Sequence, residues 1–92
     1  MFYQWDPLKA DSNLYRHGID FADATSVLED MHALTVVQHH DDEDRFASIG
    51  LDTFGRILVV IYTWRGVDTI RLISARPATR AERKQYEGER YE

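Results

Sequence analysis

Three kinds of apolar patterning run along this chain, and each predicts a different element. Phe2-Tyr3-Gln4-Trp5 is short, aromatic and β-prone, and it reads as an opening strand. Asp6-Pro7 then starts a helix: aspartate caps free backbone N–H groups, and proline at the first helical position loses no needed hydrogen bond. That helix should run to about His17, where Gly18 supplies the left-handed residue that ends it. Helical spacing returns at Phe21, Ala24, Val27 and Leu28, so Asp20 caps a second helix over about residues 21–31. The period then shortens. Residues 34–38 read as a strand, the acidic residues 41–44 turn it, and residues 45–51 alternate between two faces. Asp52-Thr53-Phe54-Gly55 is a turn with glycine where a positive φ is expected. Residues 57–64 are almost wholly apolar and β-branched, the pattern of a central strand buried on both faces. Residues 65–68 turn into a strand over 69–76, which Pro77 ends. Thr79-Arg80-Ala81-Glu82 is a capping box that opens a last helix, and Gly88 is expected to fray it into a polar tail over about residues 88–92. The order is β-α-α-β-β-β-β-α: a strand, a helical hairpin and an antiparallel meander closed by a helix. This is one α+β domain over residues 1–92.

Composition narrows the picture. With 43% hydrophobic and 12% aromatic residues the chain can build a core, which excludes wholesale disorder. It has no cysteine, so disulfides, thiolate metal sites and cysteine nucleophiles are all removed. The longest apolar run, residues 57–62, falls far short of the ~20 residues of a membrane span. The opening residues lack the basic start and apolar stretch of a signal peptide, so a reduced cytoplasm, with no membrane partner, is the expected setting. The formal net charge of −5 argues at first against a nucleic-acid ligand. Its distribution reverses that argument. Residues 1–52 hold eleven acids and three bases, whereas residues 53–84 hold seven bases and only Asp68 and Glu82. Such asymmetry fits an anionic ligand on one surface and a basic partner on another, or simply solvated outer faces.

Candidate chemistry follows from spacing. Lys9, Asn13 and His17 recur at i, i+4 and i+8, along one edge of the first helix. A lysine, an amide and an imidazole in a row suit phosphate binding or an acid/base pair. Equally, Ala10 and Leu14 beside His17 suit a histidine at the core edge with a backbone partner. Adjacent His39 and His40 point to opposite faces of a strand and cannot both reach one ion without a bend, so no metal site is expected. In the basic half, Arg71 and Ile73 should face one side of the last strand, and Leu72 and Ser74 the other. Arg65 marks the hairpin tip, Arg76 the strand end, and Arg80, Arg83 and Lys84 the helix start. Arginine favours bidentate phosphate contacts, and Tyr62, Trp64 and Tyr86 offer rings for stacking unpaired bases. This combination fits binding, or metal-free cleavage, of single-stranded RNA. The structural alternative is that Arg71 pairs with an acid on a neighbouring strand and that Arg76 pairs with Glu82 to seat the helix.

Taken together, these residues resemble a known family. Trp5-Asp6-Pro7-Leu8-Lys9-Ala10, Asn13-Leu14, His17-Gly18-Ile19 and Phe21 with Ala24 are similar to the N-terminal signature of BrnT-type toxins. Glu43 with Arg45, Gly50, Gly55-Arg56, Val60-Ile61-Tyr62-Thr63, Arg65-Gly66, Ile70-Arg71-Leu72-Ile73-Ser74-Ala75-Arg76, Ala78, Glu82-Arg83 and Tyr86-Glu87 continue it. The resemblance implies a RelE-like fold and a ribonuclease toxin of a type II toxin–antitoxin system that needs no cofactor and blocks translation. It further implies a cognate BrnA-like antitoxin with a ribbon-helix-helix domain, through which the complex contacts DNA and represses its own operon. Carried onto this chain, Lys9, His17, Tyr62, Arg65, Arg71, Ser74, Arg76 and Tyr86 become candidates for substrate contact. In this division of labour Arg65, Arg71 and Arg76 stabilise phosphate while His17 or Tyr86 moves a proton. Trp64, Arg80 and Lys84 are further candidates for RNA contact, Trp64 as a stacking platform beside the Tyr-Thr…Arg-Gly motif. A non-catalytic module that clamps the antitoxin or binds RNA is the competing class.

Overall fold

Asp6 caps the first helix as its position predicts, its side chain accepting from Leu8 N at 2.9 Å, and Gly18 closes it with φ 70°. The computed structural model describes residues 1–90. Its elements are β1 (Phe2–Gln4), α1 (Pro7–His17), α2 (Phe21–Ala24), β2 (Leu34–His40), β3 (Glu43–Leu51), β4 (Ile57–Arg65), β5 (Thr69–Pro77) and α3 (Arg80–Arg90). The strands form one sheet in the order β1-β5-β4-β3-β2, with the apolar β4 in the centre as its composition requires. β2 to β5 pair as an antiparallel meander, while β1 runs parallel to β5, so the sheet is mixed rather than wholly antiparallel.

One sheet face carries the core. Leu58, Val60 and Tyr62 of β4, with Ile70, Leu72 and Ala75 of β5, pack against Ile19, Phe21, Ala24 and Val27. Trp5 meets Phe21 edge-on at 5.9 Å. Gly50 lets this layer approach: a Cβ there would sit 3.0 Å from Val27 Cγ1 and 3.2 Å from Val27 O.

Four expectations need correction. The second helix stops after Ala24 and continues as a 3₁₀ turn, Thr25–Glu29. Thr25 Oγ1 and Ser26 Oγ donate to the carbonyls of Ala22 and Asp23, a local alternative to the α-helical ladder. The β2–β3 hairpin is longer than patterning suggests, because His39 and His40 pair with Asp44 and Glu43 and only residues 41–42 turn, with Asp41 at φ 45°. Gly88 does not end α3, which runs on to Arg90; residues 91–92 of the expected tail lie outside the described residues. Finally, Leu72 and Ala75 are both buried although three positions apart, which regular alternation forbids. Pairing steps from Ile61↔Ser74 to Tyr62↔Leu72, so Ile73 is an unmatched bulge residue and the expected grouping of Leu72 with Ser74 fails.

Candidate nucleic-acid interface

The bulge and a buried amide together make a cleft. β1 pairs with β5 only as far as Gln4↔Arg71, so the outer edge of β5 beyond Arg71 needs another partner. Asn13 of α1 supplies it. Its Nδ2 donates to Ala75 O at 2.8 Å and to Ile19 O at 3.0 Å, and its Oδ1 accepts from Ala75 N at 3.0 Å. The carboxamide thus imitates a strand residue, and at 5% exposure all three bonds are sheltered from water. Asn13, by its spacing one of a row of possible ligand groups, is the bolt that holds α1 to the sheet.

Around that bolt lies a cleft of about 340 Å³ lined by Lys9, Ser12, Asn13, Arg16 and His17 of α1 and by Ile73 and Ser74 at the bulge. Lys9, His17 and Ser74, all candidates from sequence, are therefore brought together. Arg16 is not found by the i, i+4 row, on which it does not fall. The seven-residue step from Lys9 to Arg16 is two helical turns, which puts both on one face. Among the residues lining the cleft none is acidic. It is a concave, cationic surface with two hydroxyl side chains.

Arginine serves differently at α3. Arg76 Nη1 and Nη2 donate to Glu82 Oε1 and Oε2 at 2.8 and 2.9 Å, a bidentate pair. Glu82 also accepts from Thr79 N at 2.8 Å while Thr79 Oγ1 accepts from Glu82 N, completing the capping box. The guanidinium of Arg76, helped by Thr79 N and working against burial, holds the Glu82 carboxyl down at about 2. Of the two roles the sequence leaves open for Arg76, its geometry is that of the helix-seating pair.

Both candidate tyrosines, Tyr62 and Tyr86, are buried. Tyr62 stacks on Phe46 at 5.5 Å with its hydroxyl 3.0 Å from Ser48 Oγ, so its ring offers no face for a base. Tyr86 is 1% exposed and donates to Asp30 Oδ2 at 2.5 Å. Burial pushes the Asp30 carboxyl up, but hydrogen bonds from Tyr86, Leu51 N and His32 N outweigh it and hold the group below its ordinary value. Asp30 thereby ties the 3₁₀ turn, β3 and α3 together. A second structural carboxylate, the buried Asp52, accepts from Phe54 N and Arg56 N and pairs with Arg56 Nη2 at 2.8 Å, shaping the β3–β4 turn. Asp30 is not recognisable as structural from sequence, since Leu51 and Tyr86 lie on other elements, whereas Asp52 bonds within the turn that the sequence places at residues 52–55.

The remaining candidates lie apart from the cleft. Arg65 and Trp64, the latter 39% exposed, end β4 at the hairpin tip. Arg71 donates from Nη1 to Gln4 Oε1 at 3.3 Å rather than pairing with an acid. Arg80 and Lys84 are exposed on α3. His39 is paired with Asp44 at 2.8 Å, on the opposite end of the sheet order from β1.

A family model described as the ribonuclease toxin BrnT of type II toxin–antitoxin systems matches residues 5–82. Among solved structures, the chain is similar to the Brucella abortus ribonuclease toxin BrnT, with 29% sequence identity and a TM-score of 0.70, over 87% of this chain and 100% of that one. None of the curated proteins compared matches the chain. No helix among the described residues is long and apolar enough to cross a membrane.

Proposed function

Since the chain belongs to the BrnT family of ribonuclease toxins of type II toxin–antitoxin systems, we propose that it is a metal-independent endoribonuclease whose reaction takes place in the α1–β5 cleft. The observation that carries this reading is the convergence of Lys9, Arg16 and His17 with Ser12 and Ser74 in a concave surface without a carboxylate. RNA supplies its own nucleophile. The 2′-hydroxyl attacks the adjacent phosphorus, the P–O2′ bond forms, the P–O5′ bond breaks, and a 2′,3′-cyclic phosphate and a 5′-hydroxyl result. The protein has to move two protons and hold the pentacoordinate anion. Lys9 and Arg16 supply fixed positive charge for the non-bridging oxygens. His17 moves a proton, as base toward the 2′-hydroxyl or as acid toward the leaving oxygen. The Ser74 hydroxyl orients the phosphate. Trp64, Arg65, Arg71, Arg80 and Lys84 contact the strand outside the cleft, whereas Arg76, Tyr62 and Tyr86 act by holding the sheet and α3 in place.

In the cytoplasm this activity blocks translation. A cognate BrnA-like antitoxin neutralises it, and through the antitoxin's ribbon-helix-helix domain the complex represses its own operon. Expression without the neighbouring gene separates this reading from a non-catalytic clamp. The expected outcome is growth arrest with loss of cellular RNA, relieved by co-expressing the neighbour and abolished by Lys9→Ala or His17→Ala at unchanged melting temperature. Unaffected growth with intact RNA would leave only the binding module.

A further inference from the structure

The two edges of the sheet are built differently. β1 closes one edge with three residues, paired in parallel to β5. β2 forms the other with seven, Leu34–His40, all matched to β3 without a break. Its sequence, LTVVQHH, holds none of the devices that usually blunt an edge: no proline, no lysine and no bulge. Val36 is 59% exposed and Val37 50%, on opposite faces of the strand. The hairpin fixes which backbone groups are open. Only Asp41 and Asp42 form its loop, so His40 and Glu43 are the hydrogen-bonded pair that flanks it, and bonded and non-bonded pairs alternate from there. Leu34, Val36 and Gln38 therefore bond to β3, whereas Thr35, Val37 and His39 turn their N–H and C=O groups outward. Two side-chain bonds agree, because they join the more closely spaced non-bonded pairs. Thr35 Oγ1 lies 2.7 Å from Ser48 Oγ, and His39 Nδ1 lies 2.8 Å from Asp44 Oδ1.

We infer that the outer edge of β2 docks a basic, extended segment of the cognate antitoxin, which adds to the sheet as one further strand. The inference rests on the toxin–antitoxin reading for its partner. Thr35, Val37 and His39 offer the main-chain donors and acceptors that give an added strand its affinity. Apolar residues of that strand rest beside Val37 on one face and beside Val36 on the other. On the Val36 face, Leu34 and Val36 line an apolar groove of about 270 Å³ that continues over Ile49, Val59 and Ile61. Charge selects the occupant. Among the described residues Asp41 and Asp42 have no ion-pair partner, and Glu43 comes only within 3.6 Å of Arg45. The hairpin end of β2 therefore calls for lysine or arginine on the incoming strand. A second copy does not supply them. Paired antiparallel about Val36 or Val37, two copies set each acidic loop beside the other's Glu29 and Asp30, and paired in parallel they set the two loops side by side. Both arrangements juxtapose like charges on chains of net charge −5. β2 lies at the end of the sheet order away from β5 and its cleft, so the segment anchors the antitoxin and leaves the cleft itself unfilled.

The test compares the full chain alone and in complex with the protein of the neighbouring gene by amide hydrogen exchange. The N–H groups of Thr35, Val37 and His39 should exchange rapidly in the free chain and slow at least about tenfold in the complex, while those of Val36 and Gln38, already bonded to β3, change little. Val37→Pro removes an outward N–H but leaves the β3 ladder whole, because proline is tolerated where an edge N–H faces solvent. This variant should cleave RNA as the parent does and bind the antitoxin about 10- to 100-fold more weakly. Val37→Thr, which keeps the N–H, should bind within about threefold of the parent. Asp41→Asn combined with Asp42→Asn should weaken binding about three- to tenfold and flatten its dependence on salt. If the neighbour's protein binds and relieves growth arrest while those amides stay fast and Val37→Pro binds as the parent does, strand addition is overturned and the toxin–antitoxin reading stands. If it neither binds nor relieves growth arrest, both fall. If the free chain is already a dimer with those amides protected, a second copy occupies the edge and the antitoxin assignment is wrong.

Discussion

α1 and α3 dock on the same sheet by opposite means. α1 is bolted by a neutral amide: Asn13 bonds both polar groups of Ala75 and the carbonyl of Ile19, and the helix's charged residues Lys9, Arg16 and His17 line an open cleft. α3 is held by charge, through the Arg76–Glu82 pair and the Tyr86–Asp30 hydrogen bond. Where a helix is seated by an amide, its cations stay available to a ligand. Where it is seated by an ion pair, an arginine of the same sequence motif becomes part of the scaffold. Residue type therefore says little about role until the partner is known.

Substitutions on the two helices should divide along that line. The largest effect belongs to His17→Ala, which should lower the RNA cleavage rate about 10²- to 10⁴-fold, the usual span for losing an acid/base group, while thermal melting stays unchanged. A parallel loss of melting temperature would make His17 a core histidine instead. Asn13→Leu comes next. It leaves the N–H and C=O of Ala75 and the carbonyl of Ile19 without their partner, and should cost about 3 kcal/mol in urea unfolding. A cost well below 1 kcal/mol would show that α1 does not depend on this bolt.

Arg76→Ala tests the opposite helix. Removing the guanidinium should destabilise the fold by about 1–2 kcal/mol, given that the pair is partly solvent-exposed, and leave cleavage by the folded fraction intact. It should also remove an acid dependence. The folded-state pKa of Glu82 is lowered from 4.5 to about 2, so the unfolded chain binds the proton more readily. The pair's stabilisation is fully present above about pH 4.5 and is lost as pH falls toward 2. Unfolding free energy measured across that window should therefore fall in the parent and be flatter in Arg76→Ala. The smallest effect is expected for Tyr86→Phe, about 1 kcal/mol from one hydrogen bond, with cleavage retained. Strong loss of cleavage without loss of stability would return Tyr86 to a role in proton transfer.

What the sequence discloses follows the range of each interaction. The Asp6 and Asp20 caps, the Thr79–Glu82 capping box and the central apolar strand are fixed by neighbours within a few residues, and all are present. The division of the second helical segment turns on hydroxyls that bond back to the preceding turn, which propensity alone weighs poorly. Tyr62 carries a usable signal: it continues the period-2 run of Leu58 and Val60, which places it in the core. Arg76 carries none that decides, because Glu82 meets it only once α3 folds back onto the sheet. The β5 bulge is equally hidden, since a register shift exists only between paired strands. The cationic face of α1 is half legible: the i, i+8 relation finds Lys9 and His17, and Arg16 falls on the same face by a seven-residue step outside that row.

Metal-free transesterification in the α1–β5 cleft is tested by cleavage of a single-stranded RNA by the purified chain in EDTA. Unmodified protein and Arg76→Ala, compared at equal folded concentration, should both yield 2′,3′-cyclic phosphate and 5′-hydroxyl ends, and Lys9→Ala and His17→Ala should yield almost none. Undiminished cleavage by His17→Ala and Lys9→Ala, or activity that vanishes with EDTA, would contradict it.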